Sequence, residues 1–135
     1  MFDTKFVIIV REDLAVWQKL NVTAFLSTGI AAAEEGLMGE DYRDRDGNVY
    51  YPLCAQPIIV LGGNQAILSK ALQRAVERGV PASVYVEEMF STGHDAANRA
   101  VFAKFSREDA KLVGIAFRAE RKVADKISKG AKMHP

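Results

Sequence analysis

The stretch "KFVIIVREDLAVWQKLN", residues 5–21, determines how the fold begins. Its run of consecutive apolar residues predicts a central β-strand over residues 5–11, covered by other elements on both faces. Apolar residues then recur at spacings of three and four, which predicts a helix from residue 13 or 14 to about residue 37. Arg11 and Asp13 therefore stand where a buried strand gives way to a helix. Because ligands in open α/β sheets bind at the carboxyl ends of strands, these charges mark a candidate site.

The predicted first helix is apolar around most of its circumference. Two sets of residues recur at helical spacing, and both contain large apolar side chains. We therefore expect this helix to be deeply packed. The first set is Trp17, Leu20, Ala24, Ser27 and Ala31, and the second is Val22, Phe25, Leu26 and Ile30.

The rest of the chain alternates between apolar strands and helices, which predicts an α/β fold with a mainly parallel or mixed sheet. Right-handed crossovers then favour a three-layer α/β/α sandwich, formed by residues 1–135 as a single domain. After the first helix, the predicted elements are a hairpin within 38–53 around Asp46–Gly47, a strand at 57–61, a turn at 62–64, a helix ending at Gly79, a strand at 82–87, a helix at 94–105, a helical turn at 106–110, a strand at 111–119 and a helix ending at Gly130.

The composition fits a globular protein with its own core, since 49% of the 135 residues are hydrophobic and 26% are charged. The net charge of +1 argues against a protein whose whole surface binds nucleic acid. Cys54 is the only cysteine, which fits a reducing compartment. The N-terminal apolar run is too short for a signal peptide or a bilayer span. We therefore predict a cytoplasmic protein with no membrane partner.

Cations are concentrated near the C-terminus. A basic face there could attract phosphate groups, including those of tRNA. The alternative, which we favour, is a solvated helix with its cations near its negative end. The cations are Arg118, Arg121, Lys122, Lys126, Lys129 and Lys132, against the acids Glu120 and Asp125.

No motif in the sequence predicts a metal or a cofactor. A segment around Asp46 resembles the start of a calcium loop but lacks the bidentate glutamate that such a loop requires. Cys54, His94 and His134 do not have the spacing of zinc ligands. The glycine-rich turn at 62–64 has neither a dinucleotide fingerprint nor a P-loop lysine, so Asn64 is predicted to cap the following helix.

The segment "EEMFSTGHDAANRAVF", residues 87–102, is the densest polar cluster beside apolar elements. Thr92 begins a stretch with the spacing of a capping box, which predicts that Thr92 caps the following helix. Capping by Thr92 does not explain why Glu87 and Glu88 lie at a strand end. It also does not explain why His94 lies at a helix start. A carboxylate beside His94 could orient a base or a water molecule, so a site and a purely structural role are equally open here.

Much of the chain resembles a bacterial family of unknown function that has the fold of peptidyl-tRNA hydrolase II, the archaeal and eukaryotic type. The segments that carry the resemblance are "KFVIIVREDLAVWQKLNVTAFLSTGIA" at 5–31, "EEMFSTGHDAANRA" at 87–100 and "VGIAFRAERKVADKISKGAKMH" at 113–134. The resemblance implies a mixed four-stranded sheet between helices, often assembled as a homodimer.

The likeness to the hydrolases themselves rests on Arg11-x-Asp13 after an apolar strand, on a glutamate at the strand end 87–88, and on "DKISKGAK" at 125–132. In the hydrolases the first motif continues with Gly-Lys, then Ala-Ala-Gln and a His, and these residues help form the active site. This chain has Lys19 about one position away from the family lysine, and it lacks the Gln and the His. The resemblance therefore implies a pocket at this place without fixing its reaction.

The first functional hypothesis is a metal-independent hydrolase that acts on a small or phosphate-bearing substrate. Lys19 would stabilise developing negative charge, and Glu87 or Glu88, with His94, would activate water. The residues predicted to bind the substrate are Arg11, Asp13, Asn21, Ser91 and Thr92.

The second hypothesis is a non-catalytic ligand-binding or regulatory module in which Arg11, Asp13, Lys19 and Glu88 form an ion-pair network. A cleft that brings together Lys19, a strand-end glutamate and His94 would favour catalysis. An Arg11 bound to its neighbouring acids would favour the second hypothesis. A third, a dimerisation scaffold, requires that another subunit cover the first helix and residues 87–95.

Overall fold

The computed structural model describes residues 2–135 and contains a mixed β-sheet with α-helices on both faces. Within these residues the helices are α1 (Val16–Ala33), α2 (Gln65–Glu77), α3 (Asp95–Phe102) and α4 (Arg121–Ile127), and a 3₁₀ helix spans Glu87–Ser91. The strands are β1 (Thr4–Arg11), β2 (Tyr42–Arg43), β3 (Val49–Tyr50), β4 (Ile58–Gly63), β5 (Ala82–Val86), β6 (Leu112–Glu120) and β7 (Lys132–Met133).

The main sheet has the strand order β5-β6-β1-β4-β7, so the predicted mixed α/β class is confirmed. β1 runs parallel to β4, whereas β6 runs antiparallel to both β1 and β5. Among the described residues this sheet has five strands rather than the predicted four, because β7 pairs with Leu61 and Gly62 of β4. A two-residue strand leaves no periodic signal in a sequence. β1 and β5 both end at the sheet edge where β6 begins, which places Arg11 and Glu87 at the same edge.

β1 is buried on both faces, as its apolar run predicts. Alternate side chains of a strand point to opposite faces of the sheet. Val7 and Ile9 pack in one cluster with apolar residues of α2 and α4. Phe6, Ile8 and Val10 pack in a second cluster with α1. Helices therefore cover both faces of the sheet.

α1 packs against the sheet through a narrow stripe that consists of Val22, Leu26 and Ile30. Gly114 on β6 permits this close approach, because a Cβ atom there would lie 2.4 Å from Cγ1 of Val22. The expectation that α1 is packed on most sides is wrong. Large apolar side chains outside the stripe are exposed, and they are Val16, Trp17, Leu20 and Phe25.

α3 is capped by His94 rather than by Thr92. The Nδ1 atom of His94 accepts a hydrogen bond from the backbone N–H of Ala97 at 3.2 Å. Thr92 instead follows the 3₁₀ helix, and its hydroxyl donates to the carbonyl oxygen of Met89 at 2.9 Å. The predicted capping box is therefore wrong, because an imidazole nitrogen two residues further along supplies the same kind of acceptor.

α2 begins as the sequence predicts. The side-chain oxygen of Asn64 accepts a hydrogen bond from the backbone N–H of Ile67 at 2.9 Å. β4 continues through Gly63, so the predicted turn at 62–64 is shorter than expected. α2 is followed by Gly79, whose φ of +66° lies in the left-handed region that ends helices.

Residues 38–53, here called the arm, contain the predicted hairpin. β2 and β3 form a two-stranded sheet separate from the main one. The carboxylate of Asp44 orders the turn, since it accepts hydrogen bonds from the side chain and backbone of Asn48 (both 2.9 Å) and from the hydroxyl of Tyr50 (3.1 Å). These bonds, with those of Asn48 foremost, lower the pKa of Asp44. Gly47, with φ +84°, allows the chain to reverse.

Candidate functional site

The predicted site at the ends of β1 and β5 is a small polar hollow of about 400 Å³, here called the sheet-end cleft. Two backbone hydrogen bonds fix its position. Glu12 donates to the carbonyl of Gly63 at 3.0 Å, and Glu87 donates to the carbonyl of Lys111, also at 3.0 Å. The residues that line the cleft are Arg11, Glu12, Asp13, Asn64, Gln65, Glu87 and Lys111.

Arg11 is held by two carboxylates within this cleft. Its Nε atom lies 2.6 Å from Oδ1 of Asp13, and its Nη1 atom lies 3.0 Å from Oε2 of Glu87. The Arg11 side chain is only 12% exposed, whereas those of Asp13 and Glu87 are 67% and 47% exposed. Burial alone would lower the pKa of Arg11, but the hydrogen bonds to Asp13 and Glu87 outweigh it and raise the pKa. The guanidinium charge is therefore already neutralised within the protein.

Lys19 and Glu88, two predicted catalytic residues, line neither this cleft nor the larger cavity described next. Lys19 is partly buried on α1 and makes no ion pair with any residue in the described range 2–135. Glu88 is partly buried in the 3₁₀ helix, and its Oε2 atom is buried without a hydrogen-bond partner among the described residues.

A larger hollow of about 690 Å³, here called the aromatic cavity, lies between α1, β5, the 3₁₀ helix and α3. Its volume falls within the range of small-molecule sites. Eight of its eighteen lining residues are apolar or aromatic, eight are polar or charged, and two are glycines. The lining residues are Trp17, Asn21, Phe25, Leu26, Thr28, Gly29, Ser83, Val84, Tyr85, Met89, Phe90, Thr92, Gly93, His94, Asp95, Asn98, Arg99 and Phe102.

Four aromatic rings form a continuous wall of this cavity. The ring centroids of Trp17 and Phe90 are 5.9 Å apart, those of Phe90 and Tyr85 are 5.3 Å apart, and those of Tyr85 and Phe25 are 6.0 Å apart. These separations and tilted geometries are those of favourable aromatic pairs. Burial raises the pKa of the Tyr85 hydroxyl, so this ring stays neutral at physiological pH. The wall is therefore uncharged and held in place by ring–ring contacts.

Polar groups on α3 and beside it form one side of the cavity. Since Nδ1 of His94 accepts the capping hydrogen bond, the proton of the neutral ring is on Nε2, which remains able to donate. The Thr92 hydroxyl also contacts the side-chain amide of Asn98. Arg99 is paired with Asp95 one helical turn away, so the charges on α3 that face the cavity cancel.

The structure divides the predicted site residues into three groups. Asn21, Thr92 and His94 line the aromatic cavity, and Arg11, Asp13 and Glu87 line the sheet-end cleft. Lys19, Glu88 and Ser91 line neither. Lys19, a strand-end glutamate and His94 are therefore not brought together in either of these two cavities.

The aromatic wall is not predicted by the sequence. Helical spacing predicts that Trp17 and Phe25 belong to a deeply packed helix, and no motif predicts a role for Tyr85 or Phe90. A signal was present in part, because aromatic residues flank the polar cluster at 87–102 and recur on the helix that precedes it. Nothing in the sequence says that these segments meet.

Within the described residues no group of three or more His, Cys, Asp and Glu side chains is placed to hold a metal ion. Over the same part of the chain, no helix has both the length and the apolar character that crossing a membrane requires.

Comparisons with known proteins agree with this architecture. A family model described as "Protein of unknown function (DUF2000)" matches residues 4–135. A solved structure of a protein of unknown function from Agrobacterium strain C58 is similar over 100% of both chains, with 60% sequence identity and a TM-score of 0.97. No curated protein matches the chain.

Proposed function

We propose that this chain, which belongs to the DUF2000 family of proteins of unknown function, is a ligand-binding module that holds a small, uncharged, ring-bearing molecule in the aromatic cavity. The observation that carries this proposal is the aromatic wall formed by Trp17, Phe25, Tyr85 and Phe90. Ligand sites are concave and combine apolar walls with polar groups that fix orientation, and this cavity combines an aromatic wall with polar groups on and beside α3.

The charge balance of the cavity supports an uncharged ligand. Its charged lining residues, Asp95 and Arg99, neutralise one another. A ring could stack on the aromatic wall while a hydroxyl or carbonyl group hydrogen-bonds to Asn21 or to Nε2 of His94. A charged group would have to lose its hydration without gaining an unpaired counter-charge, which is costly.

The hydrolase hypothesis has less support from the geometry. The strand-end carboxylate of Glu87 is bound to Arg11, and it lines a different cavity from His94. General base catalysis needs the base within hydrogen-bond reach of the water that it activates, and nucleophile and base must share one site. The arrangement of Arg11 therefore favours the second hypothesis, a module without catalytic activity. The predicted ion-pair network is wrong in part, because Arg11 pairs with Asp13 and Glu87 and, among the described residues, neither Lys19 nor Glu88 joins it.

The finer predictions of the sequence remain predictions. They are the peptidyl-tRNA hydrolase II-like fold, a single domain, hydrolase activity, a phosphate-bearing ligand, a tRNA partner, a homodimer, a cytoplasmic location, and the absence of a cofactor and of a membrane partner. The catalytic roles of Lys19, Glu87, Glu88 and His94 and the binding roles of Arg11, Asp13 and Ser91 also remain predictions.

Calorimetric titration with 2-naphthylmethanol, an uncharged two-ring alcohol, tests the proposal. We expect saturable binding with a Kd of about 2 mM, since twelve heavy atoms at about 0.3 kcal/mol each give about 3.6 kcal/mol. Phe90→Ala should weaken binding about tenfold, because it removes the central ring of the wall.

Phe105→Ala is the matched control, since this ring lies outside the cavity and should leave the affinity unchanged. Circular dichroism spectra establish that both variants are folded. Equal loss of binding in the two variants, or no binding by the wild-type protein, would refute the aromatic cavity as the site for this class of ligand.

A further inference from the structure

The large exposed apolar side chains of the described residues are concentrated on two segments. Sixteen such side chains are exposed, and ten of them lie on α1 or on the arm. Scattered exposed apolar residues need no explanation, but a concentration of this kind marks an interaction surface. The ten are Val16, Trp17, Leu20 and Phe25 on α1, and Met38, Tyr42, Val49, Tyr50, Tyr51 and Leu53 on the arm.

The arm is ordered locally, yet it has little support from the rest of the molecule. It is anchored at its base, where Gly39 donates to the carbonyl of Leu53 at 2.9 Å and Ala55 donates to the carbonyl of Leu37 at 2.8 Å. Beyond this base, β2 and β3 pack chiefly against each other. A two-stranded hairpin that stands alone in water is at best marginally stable. Its apolar side chains therefore require a partner surface.

The exposed area is sufficient for a stable interface. Phe, Tyr and Trp side chains, five of the ten, offer roughly 150–250 Å² each when fully exposed and the other five somewhat less. The ten are between 42% and 92% exposed. Together they present on the order of 1,000 Å², against about 800 Å² per partner in a standard interface.

We propose that two copies of this chain exchange arms, so that the arm of each copy packs on the exposed face of α1 in the other. Each copy has one arm, the donor segment, and one exposed α1 face, the acceptor face. A two-fold axis therefore allows both arms to pack on the partner's α1 face at the same time. The segment 40–46 of the arm carries four acids and two arginines, a net charge of −2, and the acceptor residues on α1 are uncharged and do not repel it. Trp17 and Phe25 belong to both surfaces, so an exchanged arm would lie beside the aromatic cavity, and the experiments below measure dimerisation without a ligand.

Cysteine cross-linking between two different variants tests the exchange. Leu20→Cys on α1 and Tyr51→Cys on the arm are each made in a Cys54→Ala background, and both sites are well exposed, at 65% and 92%. The variants are mixed under reducing conditions and then oxidised with copper phenanthroline. We expect a disulfide-linked dimer in the mixture, containing up to roughly half of the chains because mixed pairs form statistically, and none in either variant alone.

Val76→Cys is the matched control, because this residue on α2 is exposed but lies outside both segments. Mixed with the Tyr51→Cys variant, it should give no linked dimer. Light scattering of the unmodified chain should give twice the monomer mass, and Tyr51→Ser with Leu53→Ser should raise the dimer Kd at least a hundredfold.

Several outcomes would overturn the exchange. A monomer at all concentrations would do so, as would a dimer that the arm substitutions leave intact. A disulfide formed by Tyr51→Cys alone would also contradict it, because it would mean that the arms contact each other rather than α1. None of these results depends on ligand binding.

Discussion

The sheet-end cleft and the aromatic cavity are two concave surfaces of one molecule, and they differ in what their side chains can still offer a ligand. In the cleft, Arg11 is bound to Asp13 and Glu87 and its charge is neutralised. In the cavity, four aromatic rings contact one another along a wall that leaves about 690 Å³ open. Charged residues at a strand end therefore do not by themselves make a site, because they can satisfy each other.

The comparison predicts that the two regions respond differently to mutation. Changes in the cleft should alter the free energy of unfolding and leave ligand binding intact. Changes in the cavity wall, such as Phe90→Ala, should mainly alter binding.

The largest effect on stability is expected for Arg11→Met. The substitution leaves the carboxylates of Asp13 and Glu87 without their cation, so the free energy of unfolding should fall by about 2 kcal/mol, between the values for surface and buried pairs. Urea unfolding measures this change. Arg107→Met, which removes an exposed pair with Glu108, is the control and should cost less than about 0.5 kcal/mol. If the Arg11 variant kept its full stability, the ion pairs of Arg11 with Asp13 and Glu87 would not stabilise the fold, which would contradict this description of the cleft.

A smaller effect of opposite sign is expected for Glu88→Gln. The wild-type residue buries a carboxylate oxygen without a hydrogen-bond partner, and burying an unpaired charge opposes folding. Removing the charge should therefore leave the free energy of unfolding unchanged or raise it by up to about 1 kcal/mol. Thermal unfolding of both proteins at pH 7 measures this difference in the free energy of unfolding. A clear loss of stability would contradict this expectation and would show that Glu88 has a structural partner in solution.

The smallest effect is expected for Lys19→Ala. Lys19 lines neither cavity and has no ion-pair partner in the described part of the chain. Stability and affinity for 2-naphthylmethanol should each change by less than about 0.5 kcal/mol. A large loss of affinity with stability unchanged would contradict this expectation and would place Lys19 in the binding site.

Much of the fold follows from local patterns in the sequence. The run at 6–10 predicts a strand buried on both faces, and it is one. Asn64 predicts the start of α2, and Gly79 predicts the end, because capping and left-handed backbone are properties of a few adjacent residues. The Asp46–Gly47 turn is equally local.

The burial of α1 could not be predicted in the same way. Two sets of residues have helical spacing, and a sequence does not say which set faces the sheet. Gly114, on a strand far along the chain, determines which set packs. Because it has no side chain, Val22 and Leu26 of α1 can lie against the sheet at that point. Trp17 and Leu20 of the other set are left exposed, and so is Phe25, although it belongs to the same set as Val22 and Leu26.

The candidate site was only partly predictable for a related reason. The position of Arg11 at a strand end is visible in the sequence, but its pairing with Glu87 depends on β1 and β5 ending at the same sheet edge. The aromatic wall is assembled from α1, β5 and the 3₁₀ helix, so its parts are as many as 73 positions apart, from Trp17 to Phe90. Tertiary contacts of this kind leave no local pattern.

Nuclear magnetic resonance of side-chain N–H groups tests the central claim most directly, because each region has its own reporter. Trp17 is the only tryptophan and lines the aromatic cavity, so its indole N–H reports on that cavity, whereas the Nε–H of Arg11, which donates to Asp13, reports on the sheet-end cleft. During titration with 2-naphthylmethanol, we predict that the Trp17 signal shifts saturably and that the Arg11 signal does not move. A shift of the Arg11 signal while the Trp17 signal stays fixed would contradict the account.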